Sequence, residues 1–181
     1  MAHTRRATCE SEAVSGAVPR EASATDGRPP IAGMLVRRSQ QAHTALWSLC
    51  VQEDLSPPQY AILRVLSERG WTDQTTLGQL AALDRSNAAE MLSRLSRRQL
   101  VRHRRDDADR RRKLWSLTEA GGQLFGRAQP SAAVVNELLL APFDVPERQE
   151  LLRLLDVLVG EAERRVDRMQ AERAGTTRPR P

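Results

Sequence analysis

Residues Leu100 to Arg105 and Lys113 to Leu117 alternate or carry strand-forming side chains, and the stretch between them, Asp106 to Arg112, is too polar to be anything but a hairpin loop. That loop is loaded with charge. Between Arg102 and Lys113 stand seven basic residues against three aspartates, a net of +4, nearly the +5 of the whole 181-residue chain. A solvated loop can be charged for no reason beyond solubility. What constrains this one is its place directly after two short helices.

About Thr76 to Leu83 reads as a short helix, and about Asp84 or Ser86 to Arg98 as a second, with only a tight turn between them. In the second, Ala88, Met91, Leu92 and Leu95 form an apolar stripe, which leaves Ser86, Asn87, Ala89, Glu90, Ser93, Arg94 and Arg97 facing outward. Two helices joined by a tight turn and followed by a basic hairpin make a winged helix-turn-helix. Such a unit lays its second helix in the major groove of duplex DNA and reaches sideways with the hairpin, whose positive charge suits the narrow minor groove. Lys113 is the only lysine, so the positive charge is otherwise all arginine, the side chain suited to forked contacts with phosphate and guanine.

The flanking sequence is helical. Ile31 to Val51 forms a first helix with Leu35, Ala42, Leu46, Leu49 and Cys50 at mixed three- and four-residue spacing. Ser56, Pro57, Pro58 and Gln59 open another, with a hydroxyl cap, proline in the first turn and a glutamine to close a capping box; it runs to about Arg69, where Gly70 stops it. Thr118 and Glu119 start a helix kinked near Pro130, and Pro146 starts a long leucine-rich one. Apolar stripes on long first and last helices need cover, which implies two intertwined copies of the chain. Residues 1–30 are poor in large apolar side chains and read as a disordered tail, and 174–181 read as a flexible one.

Other classes find little support. Three histidines (His3, His43, His103), two separated cysteines (Cys9, Cys50) and no glycine-rich phosphate loop offer no catalytic cluster, cofactor cradle or metal site, so an enzyme is not expected. No apolar run approaches the roughly 20 residues that a bilayer requires, and the sequence begins without an apolar signal core. A cytoplasmic protein is expected.

The stretches Leu55-Ser56-Pro57-Pro58-Gln59-Tyr60-Ala61-Ile62-Leu63, Asp84-Arg85-Ser86-Asn87 and Asp109-Arg110-Arg111-Arg112-Lys113-Leu114-Trp115-Ser116-Leu117-Thr118-Glu119-Ala120-Gly121 resemble the MarR family of regulators, over about Pro30 to Glu172. That resemblance implies that Arg111 is the wing-tip arginine of the minor groove and that Asp109 orients the wing. By the same resemblance Arg110 and Arg112 contact phosphates, and Ser86, Asn87, Glu90 and Arg94 occupy the exposed positions of the recognition helix; Arg105, from the basic run of the hairpin, is expected among the DNA contacts too. One position departs from the family. Gln99 stands where a glycine usually turns left-handed, so strain on the order of 1 kcal/mol is expected there.

The first helix resembles the aromatic-acid-responsive, protocatechuate-type subgroup, in which residues matching Arg37 and His43 hold an aromatic carboxylate. Six residues apart, the two side chains point about 120° from each other around the helix, so joint contact needs a long arginine reach or a pocket shared between subunits. The bland alternative is a packed histidine and an arginine paired with an acid. Trp47, one turn beyond His43, reads as core or as pocket wall. Cys50 reads as buried and inert, its rival role being a redox sensor.

Together these readings give a mainly α fold with a small β-hairpin wing. The expected organisation is a dimerisation and ligand helix (31–52), a winged helix-turn-helix (53–118) and C-terminal dimerisation helices (119–173). The expected function is a regulator, repressor in sense, that binds a pseudo-palindromic operator as a homodimer and is released by a small molecule such as an aromatic acid. The alternatives are a Cys50 redox regulator and a ligand-free architectural DNA binder.

Overall fold

The computed structural model of the protein describes residues 31–176; the segment 1–30 and residues 177–181 lie outside the described residues, and with them the tail readings made there. In chain order the elements are α1 (Ala32–Cys50), α2 (Pro57–Arg69), β1 (Thr72–Asp73), α3 (Gln74–Leu80), α4 (Arg85–Arg97), β2 (Val101–Arg105), β3 (Lys113–Leu117), α5 (Glu119–Leu140) and α6 (Val145–Thr176). The described chain divides at Leu139 and Leu140 into two compact units.

In the first unit α2 begins where its cap dictates. The Gln59 backbone N–H donates to Ser56 Oγ at 3.4 Å and Ser56 N–H donates to Gln59 Oε1 at 3.0 Å, with Pro57 and Pro58 in the first turn. It ends at Gly70, whose φ of 71° continues no helix. The third helix starts two residues earlier than its sequence suggests. Asp73 ends β1 and caps α3 at once, accepting from the N–H groups of Thr75 at 3.1 Å and Thr76 at 3.2 Å, so no loop separates strand from helix. It also stops earlier, at Leu80, because Ala82 turns left-handed (φ 53°) and Leu83 N–H returns to Gly78 O at 2.8 Å.

Three antiparallel strands form the sheet, in the order β1-β3-β2, where the sequence announces only two. β2 and β3 pair from Val101↔Leu117 to Arg105↔Lys113, and β1 adds Thr72↔Trp115 and Asp73↔Leu114. Two residues are too few for alternation to show, so β1 has no signature in the sequence. Pairing puts Thr72, His103 and Trp115 on one face, with Trp115 buried and the His103 ring 4.8 Å from it.

The core collects α1, α2, α3, α4, the sheet and α5 around the fully buried Ile62, Leu63, Leu66, Leu77, Leu92, Leu95 and Val135. Each such side chain contributes about 1.5–3 kcal/mol by leaving water. Within α4 the buried stripe is Ala88, Leu92 and Leu95, with Met91 only half-buried. Gln99 sits at φ 57°, the left-handed conformation anticipated for it. Pro130 lies inside α5, which continues as helix through it.

The second unit is α6 and its lead-in. Asp144 and Glu147 form a reciprocal cap, Glu147 N–H on Asp144 Oδ1 at 2.9 Å and Asp144 N–H on Glu147 Oε2 at 3.0 Å. The helix therefore starts at Val145, one residue ahead of Pro146, and it extends to Thr176, into the segment read as a tail.

Candidate nucleic-acid interface

The α3–α4 turn is tight because its residues are small. A Cβ on Gly78 would lie 3.0 Å from Leu83 O and 3.6 Å from the Ala88 Cβ, so glycine lets α3 approach the turn and the start of α4. Asp84 caps α4 through the Asn87 N–H at 2.9 Å, and the Asn87 side-chain amide donates to its other carboxylate oxygen. Those hydrogen bonds hold the Asp84 carboxyl below its ordinary pKa even though it is exposed.

The outward face of α4 carries Ser86, Asn87, Ala89, Glu90, Ser93, Arg94 and Arg97, all exposed. Of the sequence-predicted readers, Asn87 is tied to Asp84, and Arg94 donates to Glu90 one turn back, so these side chains are already oriented. Ser86 stands exposed in the first turn of α4.

The hairpin tip is built from aspartates accepting backbone N–H groups. Asp106 Oδ1 accepts from Ala108 N–H at 3.0 Å and Asp109 Oδ1 from Arg111 N–H at 2.9 Å, and Asp109 O accepts from Arg112 N–H at 2.9 Å. Asp109 thus shapes the turn that presents Arg111, and Arg110 and Arg111 are exposed. Arg105 Nη1 reaches Arg110 O at 3.4 Å, bracing the tip from β2. Arg112 differs from its neighbours, because its Nη2 lies 2.8 Å from Asp73 Oδ2. Partial burial pushes the Asp73 pKa up, but hydrogen bonds from Thr76 and the Arg112 guanidinium outweigh it and leave the carboxyl below its ordinary value.

Between α3, the start of α4 and the hairpin lies a cleft of about 570 Å³ whose charged lining is Arg85, Arg111, Arg112 and Lys113 with Asp73. Sequence reasoning does not single out Arg85 or Lys113 as contacts; the signals they carry are position, Arg85 being the first residue of α4 after its cap, and charge, Lys113 closing the basic run of the hairpin. A second arginine-lined cleft, about 630 Å³, is formed by Arg94, Arg97 and Arg98 beside Asp54, with Arg98 Nη2 3.3 Å from Asp54 Oδ2. On the outer face of the sheet Arg104 and Arg102 stand over the Trp71 ring at 4.8 and 5.3 Å, a cluster that no sequence motif announces.

On α1, Arg37 is exposed and His43 half-buried, its ring 6.1 Å from that of Trp47. Trp47 itself is core: it is 6% exposed and its indole N–H donates to Leu55 O at 2.7 Å. An aromatic series continues through Tyr60 (5.1 Å) to Phe125 (5.3 Å), and burial raises the pKa of the Tyr60 hydroxyl. Cys50 is buried in the same core. Among the described residues no helix is long and apolar enough to cross a membrane.

Comparison with known proteins gives a consistent result. The model of the MarR family matches residues 55–113. Transcriptional regulator HosA of Escherichia coli is 33% identical over 120 residues, 66% of this chain and 88% of its own length. The PcaV transcriptional regulator from Streptomyces coelicolor, solved in complex with its natural ligand, superposes with a TM-score of 0.70 at 37% identity, covering 75% of this chain and 99% of that one. Bordetella bronchiseptica BpsR, a structure described as showing regulation of DNA binding by 6-hydroxynicotinic acid, gives a TM-score of 0.65 at 26% identity, covering 70% and 97%.

Proposed function

The chain belongs to the MarR family, and from that premise we propose that it is a repressor that reads a pseudo-palindromic operator as a homodimer and releases it when an aromatic acid binds. The observation that carries the DNA-reading part is the pairing of an exposed, capped α4 with an arginine tip held by Asp109 on the neighbouring hairpin. Ser86, Asn87, Glu90 and Arg94 meet base edges and flanking phosphates, and Arg111 enters the minor groove with Arg110 and Arg105 beside it. Two such units, about 34–36 Å apart, match successive major-groove faces of a duplex.

Release follows if an effector favours a dimer whose α4 spacing no longer fits, for which a few kcal/mol of differential affinity suffices. Arg37 supplies a guanidinium for a carboxylate and His43 an imidazole for a phenol; PcaV, solved with its natural ligand, supports a bound effector, and BpsR, described with 6-hydroxynicotinic acid, supports an aromatic acid.

The test is a salt series of duplex-binding titrations, on a duplex selected from a randomised pool. Wild-type protein should prefer that duplex over random sequence by a factor of about 10³ or more, and Arg111→Ala should reduce the slope against log salt by about one unit. Hydroxybenzoates should release the wild-type protein and leave Arg37→Ala bound. Equal affinity for every sequence would instead identify an architectural binder.

A further inference from the structure

We propose that Arg112 is a positioning residue: with Asp73 it forms a clasp that fixes the arginine tip of the hairpin against the helix-turn-helix, and it does not itself contact phosphate. The inference rests on the DNA-reading function proposed above and assigns a role within it.

Both ends of the clasp are anchored. Arg112 is adjacent to Arg111, and its backbone closes the tip, N–H on Asp109 O at 2.9 Å and carbonyl accepting from Asp106 N–H at 3.0 Å. Its guanidinium leaves the hairpin and meets Asp73, 39 residues away in the chain, at 2.8 Å. Asp73 is held from three directions: by its strand pairing with Leu114, by the α3 N–H groups of Thr75 and Thr76, and by Thr76 Oγ1 at 2.8 Å on the same oxygen that Arg112 uses. From Asp73 the short α3 and its Gly78–Leu83 turn lead to the Asp84 cap of α4. A displacement of the tip relative to α4 therefore has to break or bend this connection.

The charges argue the same way. Asp73 is the acid among the charged groups of a cleft otherwise lined by Arg85, Arg111, Arg112 and Lys113. A bare carboxylate there would repel the DNA backbone; here it is neutralised by Arg112, whose own charge is taken up in doing so. With 53% of the arginine side chain and 16% of the aspartate still exposed, an ion pair of this kind adds little to folding stability, so its consequence is geometric.

Titrations of the selected duplex with full-length Arg112→Gln, Asp73→Asn and their combinations with Arg111→Ala test the clasp. Asparagine still caps a helix, so Asp73→Asn removes the charge and keeps α3. Each clasp variant should weaken binding about three- to tenfold, the size of coupling between contacting residues, with the salt slope unchanged. Arg111→Ala, costing about tenfold in the wild-type chain, should cost less than about threefold in either variant, because its arginine is no longer aimed. A general loss of stability would leave the Arg111 penalty intact. The clasp is overturned if Arg112→Gln lowers the salt slope by about one unit, if Asp73→Asn binds more tightly than wild type, or if the Arg111 penalty persists undiminished in both variants. Should Arg111→Ala be silent in the wild-type chain, the DNA-reading proposal itself has failed and the clasp falls with it.

Discussion

Gln99 carries a φ of 57°, in the region that a Cβ disfavours, and it is held there by its neighbours: its N–H donates to Ser96 O at 2.9 Å and its carbonyl accepts from Thr118 Oγ1 at 2.7 Å. The side chain is exposed, so nothing in its packing offsets the strain. Replacing it with glycine removes the clash but gives the unfolded chain more freedom, and the two effects differ in size. Gln99→Gly should stabilise the protein by up to about 0.5 kcal/mol, read as a raised urea midpoint at constant m-value. A lowered midpoint would mean that the left-handed turn is not strained. Ala82, at φ 53°, raises the same issue in the α3–α4 turn, yet no sequence signal marked it. Gln99 was legible only because a glycine is usual at its position, and no such contrast was available for Ala82.

The junction between hairpin and α5 shows how elements depend on single atoms. Thr118 N–H donates to Leu100 O at 3.1 Å and Thr118 Oγ1 accepts from Gly121 N–H at 3.1 Å, which draws the first turn of α5 onto the start of β2. A Cβ on Gly121 would fall 1.9 Å from Leu100 O, a backbone atom that cannot swing aside. Gly121→Ala should therefore cost at least about 2 kcal/mol, beyond the usual effect of a surface change, and thermal unfolding checks it; a near-neutral result would show that α5 can shift off the sheet. The Gly121 of the Leu-Thr-Glu-Ala-Gly run thus has a steric reason that the run alone did not disclose. Elsewhere legibility followed locality. The Ser56–Gln59 box, the Gly70 stop and the hairpin all declare themselves within a few residues, and α2, β2 and β3 appear where they were read, to within one residue. The pairing of β1 and the Arg112–Asp73 contact join residues 39 or more apart in sequence, and no local pattern encodes such a contact, whereas the start of α3 rests on the local Asp73 cap, a signal that the apolar periodicity of the helix does not carry.

Each of the two units leaves apolar surface that a lone chain has no use for. In the first, α1 and its N-cap expose Ile31, Met34, Leu35, Val36 and Leu49. In the second, Leu152, Leu155, Val159, Val166 and Met169 are each between about 43 and 55% exposed, and with Ala162 they recur at alternating steps of three and four along α6. That is the spacing of a helix seam that packs into another helix, and a stripe left in water on this scale marks an interface. Under the proposed dimer the seam joins the two chains, so destroying it should uncouple the half-sites. Leu155→Glu with Val159→Glu should convert the dimer to monomers in light scattering while each chain stays helical by circular dichroism. Operator affinity should then fall at least about 100-fold, because one half-site must bind without the free energy of the second. Monomers that bind as tightly as wild type would show that α4 spacing is not what selects the operator, and a variant that stays dimeric would move the interface off this seam.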